Sequence, residues 1–368
     1  MASPVSRFYR GPGNWYTGQN PIGQLCRART KIDGKIRFRE FPAMRLMLSI
    51  LLLSTLALCS CGKKETTSAG DGAAGNAPKK LVVGFSQIGA ESAWRTAETA
   101  SIESEAKKRG VDLKMADAQQ KQENQIKALR TFLAQNVNAI ILAPVVETGW
   151  EPVLREVKQA NIPVVLVDRG INVSDQSLYA TLIASDFVQE GRMAADWLAK
   201  KLNGKGNIVE LQGTTGSAPA IDRKKGFQEG ISAHPNLKII KSQSGDFTRS
   251  KGKEVMEAFL KAEGKNIQAV YAHNDDMALG AIQAIEEAGL KPGSDIIVVS
   301  IDGVKDAFNA MVEGKLNCSV ECNPLLGPAA FDAIEAIGLK KSLPKKTIVK
   351  DEVYDQSNAK DALPARKY

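Results

Sequence analysis

The groups able to do chemistry in this chain gather at the ends of apolar runs. The run AVYA ends in His273, Asn274, Asp275 and Asp276, and the helix-like pattern MALGA follows at once. LVVGFS (81–86) ends beside Gln87 and leads into a loop holding Glu91, Trp94 and Arg95. PVVLV runs into Asp168-Arg169, IIVVSI into Asp302-Gly303 and CSV into Glu321, while the loop after NIVEL brings Arg223. Carboxylates accept hydrogen bonds, guanidinium groups donate as a planar fork, and an amide does both. That donor and acceptor set, with an indole to cover an apolar ring face, suits the vicinal hydroxyls of a sugar.

Each residue also has a plainer use. Asn274, Asp275 or Asp276 can cap the helix that follows, because Asn and Asp are favoured N-caps. Asp302-Gly303 is a good turn dipeptide. Arg223 lies in IDRKKG and could be one more solvated charge, and Trp94 could be core. The common location of these residues at strand tips is what helix capping does not account for, the arginines above all.

Catalysis and metal binding have weaker support. GxSxG, GxxxxGK[ST], GxGxxG and HExxH are all absent from the chain. His234 precedes Pro235 in a loop, which leaves His273 as the candidate acid or base. A metal at His273-Asn274-Asp275-Asp276 would need neighbouring residues to converge, and alternation along a strand opposes that. No cofactor is expected.

The elements that position these tips follow from periodicity. From Lys80 onward, ten short apolar runs alternate with helical patterns: 81–86, 111–117, 139–143, 163–168, 178–185, 207–211, 237–243, 269–273, 296–302 and 318–322. In 124–135, Ile126, Leu129, Phe132 and Leu133 share one helical face. The pattern over 277–289 closes on Gly289 as a C-cap, with Pro292 beyond. Near-continuous apolar strands between helices indicate an α/β fold with parallel sheets covered on both faces. Ten strands crowd a single open sheet, so two lobes are expected. In such sheets ligands bind outside the carboxyl ends of the strands, where the candidate residues lie.

The 368 residues allow two such lobes and a large core. The formal charge of +8 is concentrated at the start, where residues 1–43 carry eight Lys/Arg against two acids. The folded part is close to neutral, which gives no support for nucleic-acid binding. MRLMLSILLLSTLALCSC (44–61) has the form of a secretory signal peptide, too short in its apolar run to span a membrane as a mature helix. Its ending resembles a lipobox with Cys61 as the modified cysteine and 44–60 as the removed segment. Residues 1–43 are then expected to be a non-native extension, with Met44 the true start. Residues 61–79, rich in Gly, Ala, Ser and Thr, read as a flexible tether. Cys318 and Cys322, about 13 Å apart if extended, are too distant for a disulfide and suit buried apolar positions.

The segments DRKKGF, SQSGDFTRSKGKEVMEAF, YAHNDDMALGAIQAIEEAGLKPG and SIDG resemble the periplasmic sugar-binding proteins of the ribose/galactose type. GFSQIGAESAWRTAE, QQKQENQIKALRTFLAQ and APVVETGWEPVL extend the likeness to the galactofuranose-binding members and to about residues 80–350. NDDMALGA alone is shared with sugar-responsive transcriptional regulators, which is the alternative reading, together with a sensor built on the same core. The resemblance implies two Rossmann-like lobes joined by a three-crossing hinge and closing on a sugar. Lobe one would be 80–185 with 322–350, and lobe two 186–321 with the tail 351–368. It implies Trp94 as the stacking aromatic, and Asp168, Arg169, Arg223, Asn274, Asp302 and Glu321 as polar contacts. Glu91 and Arg95 match the galactofuranose-binding pattern, and Glu321 stands where ribose binders usually carry Gln. The expected partners are a monosaccharide, the permease and ATPase subunits of an importer, and a membrane reached through the lipid anchor. A monomer without enzymatic activity is expected.

Overall fold

The computed structural model describes residues 80–368. The extension 1–43, the signal segment, Cys61 and the tether lie outside the described residues. The first set of elements is β1 (Val82–Gln87), α1 (Ala93–Lys108), β2 (Asp112–Asp117), α2 (Gln122–Ala134), β3 (Ala139–Leu142), α3 (Glu151–Gln159), β4 (Val164–Val167) and β5 (Thr181–Ala184). The second is α4 (Phe187–Lys201), β6 (Lys205–Gln212), α5 (Ala218–Ile231), β7 (Asn236–Ser244), α6 (Arg249–Glu263) and β8 (Ala269–Ala272). It continues through α7 (Asp275–Glu287), β9 (Ile297–Asp302), α8 (Lys305–Val312) and β10 (Cys318–Glu321). The chain ends in α9 (Gly327–Gly338), β11 (Lys346–Ile348), β12 (Val353–Asp355) and α10 (Ala359–Ala362).

Two sheets of six strands result, ordered β11-β5-β4-β3-β1-β2 and β12-β10-β9-β8-β6-β7. Every pairing is parallel except β10 with β12. The central strands β3, β4, β8 and β10 are buried at every residue, as expected for a parallel sheet covered on both faces. Each of the ten apolar runs becomes a strand, and the α/β class follows. The short strands β11 and β12 carried no such signal, since their three residues each are exposed or half-buried.

The chain passes between the sheets after β5, after β10 and between β11 and β12. The crossings are tied to one another: Ser185 Oγ donates to Asp351 at 3.0 Å, Val349 N–H to Ala184 O at 3.0 Å and Glu321 N–H to Glu352 O at 2.7 Å. Side chains cap the helices that start at the strand tips. Ser92 accepts from Arg95 N–H, Asp186 from Gln189 N–H and Asn274 from Met277 N–H, each satisfying a first-turn donor.

Two details differ from the sequence reading. The face of α2 turned inward holds Gln125, Ala128, Leu129 and Phe132, with Ile126 and Leu133 only half-buried. Gln125 displaces the aliphatic residues because its amide bonds Ala143 O and Val145 N–H and so ties down the loop after β3. In α7, the cap is Asn274 itself rather than Asp275 or Asp276. Gly289 adopts φ +75 after the last turn, as the expected C-terminal glycine does.

Candidate functional site

A small cavity lies between the two sheets, lined by Glu91, Ser92, Trp94, Arg95, Asp168, Arg169, Pro219, Arg223, Phe247, Asn274, Asp302 and Cys322. Eight of the nine residues singled out from the sequence are in this wall.

Lobe one supplies the wall through β1, α1 and β4. Arg95 is 3% exposed and saturated by acids: Nε meets Glu91 at 3.1 Å, Nη1 meets Glu98, and Nη2 meets Asp168 at 2.7 Å. Burial works against its charge, but Asp168, Glu98 and Glu91 outweigh it and raise its pKa well above the ordinary value. Asp168 occupies a left-handed backbone with φ +60, at the centre of a tight turn closed by Arg169 N–H on Val167 O at 2.7 Å. A γ-turn of this hand is rare and strained. Arg169 is the opposite of Arg95. Its Nη1 donates to Val145 O at 3.0 Å, its Nε has no hydrogen bond and stands 3.5 Å from Asp168, and its guanidinium lies 5.2 Å over the Phe247 ring. Burial and the neighbouring Arg95 charge push its pKa down to about 10, so it stays cationic at neutral pH.

Lobe two supplies α5, the tips of β7, β8 and β9, and the end of β10. Arg223 pairs with Glu190 through Nε at 2.6 Å and donates from Nη1 to His273 O. Its Nη2 stands 3.7 Å from Asp302. Asp302 has φ +132, a region essentially reserved for glycine. The turn is held by its surroundings: Asp275 accepts from Val304 N–H at 2.8 Å and from the Ser319 hydroxyl at 2.8 Å, and Cys322 N–H donates to Asp302 O at 3.1 Å. Burial raises the pKa of Asp302 well above the usual carboxylate range, against the pull of Arg223. Asn274 serves two ends, since Oδ1 caps α7 while Nδ2 donates to Phe247 O at 3.1 Å. Both aspartates on the cavity thus sit on strained backbone at a strand tip, one per lobe. Such strain, about 1–3 kcal/mol each, persists where the surroundings over-determine it.

The lobes meet around the cavity. Ala93 N–H of lobe one donates to Asp276 of lobe two at 2.8 Å and Glu147 N–H donates to Gly216 O at 3.0 Å, while the Trp94 indole N–H donates to Cys322 O at the crossing after β10.

Glu321 is corrected by the structure. It accepts from Arg366 at 2.8 Å and from the Tyr368 hydroxyl at 2.9 Å, and it lies outside the cavity wall. Successive strand residues face opposite ways, so at the end of β10 the neighbour Cys322 takes the wall position and the C-terminal tail takes Glu321. The argument from Glu321 to a galactofuranose-type pocket therefore falls away. Ser92, Pro219, Phe247 and Cys322 complete the wall without having been singled out as contacts. Ser92 is the side-chain cap of α1, and Phe247, itself at φ +60, follows the Gly245-Asp246 turn. Cys318 and Cys322 are buried free thiols. His273 is wholly buried against Glu210 at 3.1 Å, and burial lowers its pKa. Among the described residues there is no group of three His, Cys, Asp or Glu able to hold a metal, and no helix long and apolar enough to cross a membrane.

Residues 83–341 match the model of the periplasmic binding protein domain. The chain belongs to the periplasmic binding protein family. Within this family it is 60% identical over 291 residues to the galactofuranose-binding protein YtfQ of Escherichia coli K12, covering 78% of this chain and 92% of that one. The arabinose transporter's binding component from Shewanella sp. ANA-3, solved with alpha- and beta-L-arabinofuranose, is 57% identical with a TM-score of 0.76, covering 78% of this chain and 96% of that one. A Mycobacterium smegmatis protein solved with beta-D-fucofuranose is 53% identical with a TM-score of 0.77, over 78% and 95%. The two-lobed fold of this periplasmic binding protein is that of sugar-binding relatives.

Proposed function

We propose that this periplasmic binding protein is the substrate-binding component of an ABC sugar importer, and that it takes a monosaccharide in its five-membered ring form. The observation that carries this reading is the cavity between the lobes, where three arginines, two strained aspartates and an asparagine surround a small space walled by Trp94 and Phe247. Three relatives above half identity bear galactofuranose, arabinofuranose or fucofuranose in their names or structures, which supports the furanose form. Arg169, with an unsatisfied Nε, and Arg223 Nη2 are the donors left for ring hydroxyls, and Asp168 and Asp302 the acceptors. Burial of that polar set is offset when a ligand pairs with it. The reading is one of binding and delivery rather than catalysis, supported by the sugar-binding transport proteins this chain resembles.

Contacts such as Ala93 with Asp276 are available only when the lobes are together, so a bridging sugar selects the closed form. The closed form then docks as a monomer on the permease and its ATPase. A diacyl or triacyl anchor at Cys61, followed by the tether, would hold it at the envelope, since a single chain binds only reversibly. Palmitate labelling that survives Cys61→Ser would reject that anchor.

The reading is tested by thermal shift with D-galactose, L-arabinose and D-ribose, each of which holds some furanose in solution, and with galactofuranose itself. A shift of several degrees with at least one is expected. No shift with any of them rejects the sugar site.

A further inference from the structure

Glu190 lies behind the cavity and takes no part in its wall. It is wholly buried and makes the closest ion pair of Arg223, 2.6 Å from Nε. Besides Arg223 its one polar neighbour is the weak thiol donor of Cys322, and its second carboxylate oxygen has no well-formed hydrogen bond. A buried carboxylate with one oxygen unsatisfied is a costly choice for stability alone, so the position asks for another account.

The packing of α4 on α5 points to one. Three glycines line this contact. A Cβ at Gly191, beside Glu190, would collide with the Arg223 carbonyl, one at Gly226 with the Val188 carbonyl, and one at Gly230 with Ala195. Glycine inside a helix weakens it relative to alanine, and here it brings the two backbones close enough for Glu190 to reach Arg223 from behind. The guanidinium is then held at three places. Nε is on Glu190, Nη1 is on His273 O, and the group lies 5.2 Å over the Phe187 ring. Nη2 remains, facing Asp302 across 3.7 Å. A long arginine side chain loses much rotamer freedom on being fixed, and a donor fixed before the ligand arrives spares that loss at binding.

We propose that Glu190 is a positioning residue for sugar capture, holding Arg223 with Nη2 presented to the ligand while never touching it. The proposal rests on the sugar-site reading. It is distinct from that reading because it concerns a residue outside the wall.

Titration calorimetry on the full chain tests it, using whichever of galactose, arabinose or ribose gives the wild type its largest thermal shift. Glu190→Gln keeps volume and an acceptor but loses the charge, while Asp302 still faces the guanidinium. It is expected to melt cooperatively and bind at least tenfold more weakly. Glu190→Asp, with the charge one methylene back, should bind more tightly than Glu190→Gln. In an Arg223→Gln background, adding Glu190→Gln should change affinity less than twofold, because Glu190 acts through Arg223. Four results overturn the proposal: Glu190→Gln binding within twofold of wild type, Glu190→Asp binding no better than Glu190→Gln, a full further loss in the Arg223→Gln background, or a Glu190→Gln protein without a cooperative melt, which would make the pair a folding element. A wild type that binds none of the sugars rejects the sugar site instead.

Discussion

Asp276, in the first turn of α7, accepts a 2.8 Å hydrogen bond from the backbone N–H of Ala93, in the first turn of α1 on the opposite lobe. The N-termini of two helices face each other across the cleft, and both carry partial positive charge. The carboxylate sits between them and satisfies a donor that no intrahelical partner reaches. Arg249 holds its other oxygen at 3.1 Å, so the group is oriented without touching the cavity wall.

Asp276→Ala is therefore expected to weaken sugar binding with little change in the wall. A hydrogen bond to a charged group contributes about 1.5–3 kcal/mol, so a loss of affinity of about tenfold to a hundredfold is expected, appearing as faster dissociation in stopped-flow fluorescence. The ligand-free melting temperature should fall only slightly, through the lost first-turn acid of α7. Unchanged dissociation would show that the contact does not hold the lobes closed.

The two cavity arginines Arg169 and Arg223 should respond differently to removal. Arg223→Ala leaves Glu190 buried without a cation, and breaking a buried pair in this way costs about 3–5 kcal/mol. Arg169 has one carbonyl partner, a like charge beside it in Arg95 and a looser 3.5 Å contact with Asp168, which Arg95 still holds when Arg169 is gone. Arg169→Ala should cost under about 1.5 kcal/mol in urea denaturation. Both should shrink the sugar-dependent thermal shift without erasing it, and equal losses of ligand-free stability would contradict the asymmetry.

The strained turn at Asp168 predicts an inverted order of substitutions. At φ +60 a Cβ costs about 1–2 kcal/mol that glycine avoids. Asp168→Gly should be more stable than Asp168→Ala by about that amount, the reverse of the usual penalty for glycine. Arg95 keeps Glu91 and Glu98 as partners in either variant. Chemical denaturation of the two ligand-free proteins decides it, and neither should bind sugar.

Asp351, in the third crossing, gives a pH dependence of defined sign. Burial, then the nearby Glu190, pushes its pKa up to about 8, against about 3.9 in an unfolded chain. Between those values the folded protein holds a proton that the unfolded chain has released. Stability therefore falls as pH rises across that window and levels off above it. Asp351→Asn should flatten the melting temperature between about pH 5 and 8 and melt higher than wild type at the upper end. Parallel pH profiles would remove Asp351 as the cause.

The ten apolar runs, the parallel α/β class and the strand-tip location of Trp94, Arg95, Asp168, Arg169, Arg223, Asn274 and Asp302 were all legible in the amino-acid order. Period and burial are local properties of a chain, and a parallel sheet sends its ligand to one end of every strand. What lay beyond reach depended on partners far away in sequence. Glu321 left the wall because Arg366 and Tyr368 claim it, and Cys322 entered because the end of β10 turns it inward. Asn274 proved to be both cap and wall, since Phe247 O comes to meet its amide. Gln125 displaced Ile126 from the inner face because the loop after β3 needed its amide. Glu190 carries no distinguishing mark in the sequence, and only the close packing at Gly191 and Gly226 sets it behind Arg223. Local sequence states what a side chain can donate or accept. Only the folded chain decides which distant group reaches it first.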